Sequence, residues 1–238
     1  MTVVLDLFSG VVLFVGNGKG ADALTPFFRR TKRCRTQIQA VAIDMSRAYI
    51  QAVSSHLPQA KIVFDHFHVI KLYNDKLADL RRQLYREMSD ELQKKVLKGT
   101  RWLLLKNPEN LNDDNDKKER LQAALKINSP LAAAYYLKED LRQIWDQRHK
   151  SDARQILHGW IKRAKASGVR MLARFAKTLA THANGILNYY NFPISTGPLE
   201  GTNNKIKTMQ RQAYGFRDMD FFKLKIYDLH STKYALVG

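Results

Sequence analysis

Three acids in this chain fall where α/β proteins do chemistry: Asp44, Asp65 and Glu200. Asp44 closes the apolar run "IQAVAID", and Asp65 closes "AKIVFD". Carboxylates just beyond the carboxyl ends of buried strands sit where such sheets place their ligands. Helix capping is the plainer alternative for Asp44, unless Ser46 caps the following helix and releases the acid. The stretch "FDHFHV" sets Asp65, His66 and His68 within four residues. Extended, it turns Asp65 and Phe67 one way and the two histidines the other. In a first helical turn, Asp65 and His68 meet as an i,i+3 pair. Such a pair is able to coordinate a metal or to lock the local backbone, and a structural His68 is the plainer reading.

Glu200 lies in "PISTGPLEGTNNKIKTMQRQAYGF", an acid at the start of a segment otherwise rich in amides and cations. Gly197-Pro198 predicts a helix start, with Pro198 at the first helical position. Glu200 then stands in the first turn, where the helix dipole favours an anion without any function being involved. The same face carries Asn203, Asn204, Lys207 and Arg211, at i+3, i+4, i+7 and i+11. Amides and cations on one face suit phosphate and sugar contacts. Leu199, Ile206 and Met209 are expected to pack inward. Further on, Lys205, Arg217, Lys223 and Lys225 are interleaved with Tyr214, Phe216, Phe221 and Phe222. That pattern suits backbone binding with base stacking, or simply an aromatic core.

The totals support a polyanionic partner. Lys and Arg number 40 against 22 Asp and Glu, a formal net charge of +18. Phosphate neutralisation by such cations releases condensed counterions. With 238 residues, 45% of them hydrophobic, the chain has the means for a real core. The one cysteine, Cys34, forms no internal disulfide and belongs to no zinc pattern. It fits a reducing, cytoplasmic setting. No apolar run reaches membrane-spanning length. The opening "MTVVLDLFSGVVLFVG" lacks a cationic leader, is interrupted by Asp6, and reads as two strands rather than a signal peptide.

These side chains need elements to position them. "TVVLDL" and "VVLFVG" predict a hairpin. "ADALTPFFRRTKR" predicts a short helix with a break at Pro26. "IQAVAID" and "AKIVFD" predict strands buried on both faces, separated by the helix "SRAYIQAVSSHL" that Pro58 stops. From Ile70, the series Tyr73, Leu77, Leu80, Leu84 and Met88 predicts a long amphipathic helix. "NPENLNDDND" (107–116) predicts a polar loop. Helical patterns then run on with no strand pattern to about residue 190. Trp102, Trp145 and Trp160 all fall in this block and are expected in its core, a stacking platform being the alternative. The expected organisation is an α/β core of residues 1–70 and 193–238, interrupted by a helical insertion, 71–192.

With "AVAIDMSRAYIQAV", "LPQAKIVFDHFHVIK" and "GPLEGTNNKIKTMQRQAYGF" in this order, the chain resembles the DDE-type transposases of bacterial insertion sequences over essentially its whole length. The resemblance implies an RNase H-like mixed sheet with a large all-α insertion. It implies Mg2+-dependent cleavage and joining of DNA at element ends, with Mn2+ as a substitute. It assigns Asp44 and Glu200 as catalytic, metal-binding acids, and Asp65 and His68 to a supporting Asp-x-x-His signature. DNA contacts are expected from Asn203, Asn204, Lys205, Lys207, Arg211 and Arg217. The partner is DNA, with no membrane, and a homo-oligomer is left open. In the family, the first catalytic Asp lies on an opening strand, in a pattern like "IDE", ahead of the hairpin; Asp6 resembles only an ordinary acid near the turn. The chain is therefore expected to be truncated, without its first strand or the upstream zinc-binding and helix-turn-helix segments, and catalytically impaired by itself. The other readings are a non-catalytic DNA-binding remnant and a cellular RNase H-like nuclease. The insertion and "GPLEGTNNK" argue against the last.

Overall fold

The computed structural model describes residues 1–35, 37–98, 100–106 and 115–230. The chain divides into two compact units: Met1–Asp65 with Asn191–Gly238, and His66–Tyr190.

In the first unit, β1 (Thr2–Leu5) and β2 (Val12–Gly16) form an antiparallel hairpin. Its register slips between Val4 and Leu5, which pair with Phe14 and Val12, so Leu13 is the extra residue of a bulge and is exposed. The bulge sorts the side chains. Val4 and Phe14 join one core cluster, while Val3, Leu5, Val12 and Val15 join another. Asp6 serves the turn: its Oδ2 accepts from the Ser9 amide at 3.0 Å and the Ser9 hydroxyl at 2.5 Å. The hydroxyl bond is the main reason its carboxyl lies below the usual 3.8. Gly16 is required by close approach, because a Cβ there would lie 2.4 Å from the Ala23 carbonyl oxygen.

A 3-10 turn (Ala21–Leu24) leads into α1 (Thr25–Arg33). Pro26 lies in the first turn of α1 and starts that helix, where its missing N–H costs nothing, instead of breaking one. β3 (Ala40–Ile43), α2 (Arg47–His56) and β4 (Lys61–Phe64) follow, with β3 and β4 parallel. β3 is half-buried throughout, not fully covered on both faces as its apolar run suggests. Among the described residues the strands make two separate two-stranded sheets, not one mixed ladder. Side-chain packing joins them. Leu24, Phe27 and Phe28 with Ala52, Val53 and Leu57 form a core that receives Val4 and Phe14 from the hairpin and Val41 and Ile62 from the parallel pair. The hairpin's other face is covered by α10 (Gly197–Gln212) and α11 (Met219–Tyr227) through Ile206, Phe222 and Ile226. Tyr227 Oη also accepts the Val15 amide of β2 at 3.0 Å.

Among the described residues the second unit is wholly helical: α3 (His66–Glu87), α4 (Glu91–Leu97), α5 (Arg101–Leu105), α6 (Asn115–Ile127), α7 (Ser129–Arg142), α8 (Lys150–Ala166), α9 (Arg170–Leu187) and a closing 3-10 turn, Asn188–Tyr190. The loop expected at 107–116 lies mostly outside the described residues, and its last two residues open α6. Tyr73, Trp160 and Phe175 pack edge to face, with centroids 4.9–5.9 Å apart. Their polar ends are satisfied by backbone: Tyr73 Oη donates to the Ala134 carbonyl at 2.6 Å and Trp160 Nε1 to that of Leu137 at 2.7 Å. Buried Lys138 donates to the carbonyls of Leu104 and Lys106 at 3.0 and 2.8 Å, closing the end of α5. Burial lowers its pKa, and Glu139 opposes that. Trp160 is core as expected, Trp145 is half-buried, and Trp102 is 65% exposed. Trp102 corrects the expectation of burial: on the five-residue α5 it lies beside buried Leu103 and Leu104, and the helix has only one apolar side to bury.

Candidate functional site

The ladder Ile43↔Phe64 is the last paired step of β3 and β4, so the residues that follow, Asp44 and Asp65, leave adjacent strand ends. The two acids have different fates. Asp44 is exposed, and its Oδ1 accepts the Ser46 amide at 3.0 Å. Of the two alternatives left open for this turn, neither holds as stated: Asp44 makes a turn bond just ahead of α2 instead of capping it, and Ser46 makes no side-chain cap. Ser46 holds the N-cap position of α2 without a side-chain bond, and the Asp44 carboxylate closes a local turn onto the Ser46 amide two residues on.

Asp65 is 3% exposed. Its Oδ2 accepts both the backbone amide of Thr196 at 2.6 Å and the Thr196 hydroxyl at 2.8 Å. Thr196 is the N-cap of α10, and its carbonyl accepts the Glu200 amide at 2.9 Å, the first turn of that helix. The end of β4 therefore grips the start of the helix that carries Glu200. Glu200 stands one turn along, about 6 Å in axial rise from the clamped residue. Of the two roles open to the carboxylate of Asp65, backbone locking is the one the geometry displays, and the locked segment is 131 residues away rather than local. His68, in the first turn of α3, is half-buried with its ring 5.9 Å from that of Phe67.

α10 begins where Gly197-Pro198 predicts, with Glu200 half-buried in its first turn. Ile206 and Met209 face the core, while Asn204, Lys205, Lys207 and Arg211 are exposed and Asn203 is half-buried. Arg217 is exposed in the turn that follows. The helix thus presents a cationic outer face over an apolar inner one. The aromatic series divides: Phe216 and Phe222 stack in the core at 4.4 Å, whereas Tyr214 and Phe221 face solvent. Sequence reasoning missed Thr196. Its one signal is local, a Thr ahead of Gly-Pro at a helix start. Among the described residues, no group of three or more His, Cys, Asp and Glu side chains is close enough to hold a metal ion, and no helix is long and apolar enough to cross a membrane.

Two acids thus stand at adjacent ends of a parallel strand pair in an α/β unit, and one of them is hydrogen-bonded to the start of a helix with a cationic outer face. Residues 1–226 match the model of a transposase family, the ISL3-type DDE transposases. The chain belongs to this family. It is 38% identical over 228 residues to the transposase for insertion sequence element IS1001 of Bordetella parapertussis, covering 94% of this chain and 56% of that protein. It is 28% identical over 240 residues to the transposase for insertion sequence element IS1557 of Mycobacterium tuberculosis, covering 91% and 53%. The chain thus spans about half the length of the curated relatives it matches. No solved structure matches it.

Proposed function

We propose that this chain acts in DNA transposition, and that Asp44 and Glu200 supply two carboxylates to a Mg2+ site at the carboxyl end of the parallel strands, in an RNase H-like arrangement. The clamp from Asp65 to Thr196 carries the reading, because it ties the Glu200 helix to the strand end adjacent to Asp44. Two hard oxygen donors suit Mg2+, which typically takes one or two carboxylates and completes its shell with water and substrate phosphate. A bound cation there would stabilise charge on the phosphodiester oxygens during cleavage and joining. The chain's own contribution is positional. The Ser46 amide orients Asp44, the clamp orients Glu200, and the exposed Asn204, Lys205, Lys207, Arg211 and Arg217, with half-buried Asn203, hold the DNA backbone.

A second reading, DNA binding without cleavage, is favoured by the commitment of Asp65 to Thr196, which withdraws one strand-end acid from ligation. One experiment serves both. The full chain is mixed with DNA bearing insertion-sequence ends, and Fe2+ is added to cut the polypeptide where the cation binds. Cuts beside Asp44 and Glu200, suppressed by Mg2+ and lost in Asp44→Ala and Glu200→Ala, are expected. Undiminished cutting in both variants overturns the cation site. Undiminished DNA affinity in them, with no cuts in any form, selects the second reading. Affinity should fall steeply with salt, and Lys207→Ala or Arg211→Ala should each lower the logarithmic salt slope by about 1.

A further inference from the structure

We propose that Tyr214 is a base-stacking residue, whose ring takes the face of an unpaired nucleobase in the DNA held by α10. The inference rests on the DNA-binding reading above and adds to it a contact with a base rather than with phosphate.

The first observation is conformational. α10 ends in a Schellman-type turn, in which the Gly215 amide donates to the Gln210 carbonyl at 2.9 Å and the Tyr214 amide to that of Arg211 at 3.1 Å. The residue at the left-handed position of such a turn is usually glycine. Here it is Tyr214, at φ 51°, with Gly215 following at φ 97°. A tyrosine in that region is strained. The ring does nothing inside the molecule to offset the strain, since Tyr214 is 101% exposed.

The second observation is that the turn is anchored on its far side. Phe216 stacks on Phe222 at 4.4 Å within the core beneath the hairpin. Asp218 caps α11, its Oδ1 accepting the Asp220 and Phe221 amides at 2.9 and 3.0 Å. The ring therefore projects from a fixed backbone, which lowers the entropy lost on binding.

The third is charge. Lys207 and Arg211 precede the ring on α10, Arg217 follows it, and Lys225 lies 5.1 Å from the Phe221 ring. An aromatic face among cations is the combination that single-stranded nucleic acid uses, stacking on the ring while its phosphates meet the charges. Phe8 supplies the contrast. It is as exposed, at 96%, but lies in the hairpin turn beside Asp6, whose charge repels phosphate.

The test uses the full chain and DNA carrying 2-aminopurine, either in a single-stranded overhang or inside a duplex. Wild type and Tyr214→Phe are expected to quench the overhang probe. Tyr214→Ala should abolish the quenching and bind the overhang DNA about tenfold more weakly, with duplex affinity and salt slope unchanged. Phe8→Ala should match wild type. Tyr214→Gly should melt at or above the wild-type temperature, since glycine relieves the left-handed residue, while losing the quenching as fully as Tyr214→Ala. Equal quenching by Tyr214→Ala and wild type, with salt-dependent binding intact, overturns the stacking assignment alone. Salt-insensitive or absent DNA binding by every form overturns the DNA reading as well. A change in self-association of Tyr214→Ala with quenching unaltered assigns the ring to a protein contact and overturns the proposal.

Discussion

Replacing Asp65 by alanine tests the clamp directly. The substitution removes two hydrogen bonds accepted by one carboxylate oxygen, at 2.6 and 2.8 Å. Bonds to a charged partner contribute about 1.5–3 kcal/mol each, and a buried amide left unpaired costs about 1–3 kcal/mol. Thr196 is itself buried, so its amide has little access to replacement water. The two bonds share an acceptor and do not add fully, so about 3 kcal/mol is the expected loss. For a chain of this size, that lowers the melting temperature by about 6–12 °C. Asp65→Asn keeps an acceptor in place and loses only the charge, so about 1 kcal/mol is expected. The assay is thermal unfolding in EDTA, paired with hydrogen exchange at the amides of the first turn of α10. Exchange there should accelerate in Asp65→Ala while α8 and α9 stay protected. A melting temperature within about 2 °C of wild type would refute the clamp. So would a loss of stability that arises only when Mg2+ is added, which would make Asp65 a ligand.

Two further predictions concern the packing beneath the site and the helical unit. Burial, reinforced by Asp140, raises the Tyr73 hydroxyl well above its ordinary 10.0. A raised folded-state pKa means stability that is present below pH 10 and lost as pH climbs above it. Tyr73→Phe gives up the bond to the Ala134 carbonyl, about 1 kcal/mol at neutral pH, and should overtake wild type in urea unfolding as pH rises above 10. Tyr135, pushed up to about 12 mainly by burial, adds a similar slope in both proteins and cancels in the comparison. Gly16→Ala places a methyl 2.4 Å from the Ala23 carbonyl oxygen, so the hairpin must shift. A loss of about 3 kcal/mol in chemical denaturation is expected, and an unchanged midpoint would show that the 3-10 turn moves aside freely.

Local signals were legible and long-range ones were not. The start of α10 at Gly197-Pro198, the stop of α2 before Pro58, and the apolar series on α3 all follow from neighbours in the chain, and the structure shows them. Membership of a transposase family was legible from motif order. That Asp44 turns onto the Ser46 amide while the Ser46 hydroxyl leaves α2 uncapped was not, since both residue types cap and only geometry decides between them. Nor was the partner of Asp65, because spacing within "FDHFHV" says nothing of a threonine 131 residues onward. Tyr214 misleads by one position: helix-stop rules put the left-handed residue at Gly215, whereas Tyr214 takes it first and Gly215 shares it. That the described strands form two separate sheets and not one mixed ladder was beyond a reading of single strands, since apolar runs specify strands and not which edges meet.

The same residue type at two adjacent strand ends does opposite work, and burial separates the roles. An ionised carboxylate deprived of water must be paired or hydrogen-bonded, and Asp65 meets that demand with two donors from one residue. That commitment suits it to hold a helix and makes it a poor exchangeable ligand, since binding a cation would sacrifice bonds the fold depends on. Asp44 has the reverse balance. One exposed turn bond orients it while water still reaches it, so a cation would displace solvent rather than structure. Glu200 stands between these extremes, half-buried one turn beyond the clamp, where the helix dipole favours its charge. A basic helix therefore keeps an acid in its first turn at little cost, and the clamp sets where that acid points. The asymmetry predicts the order of damage: Asp65→Ala should harm folding first and chemistry only through it, whereas Asp44→Ala should leave the fold nearly intact and remove cation binding outright.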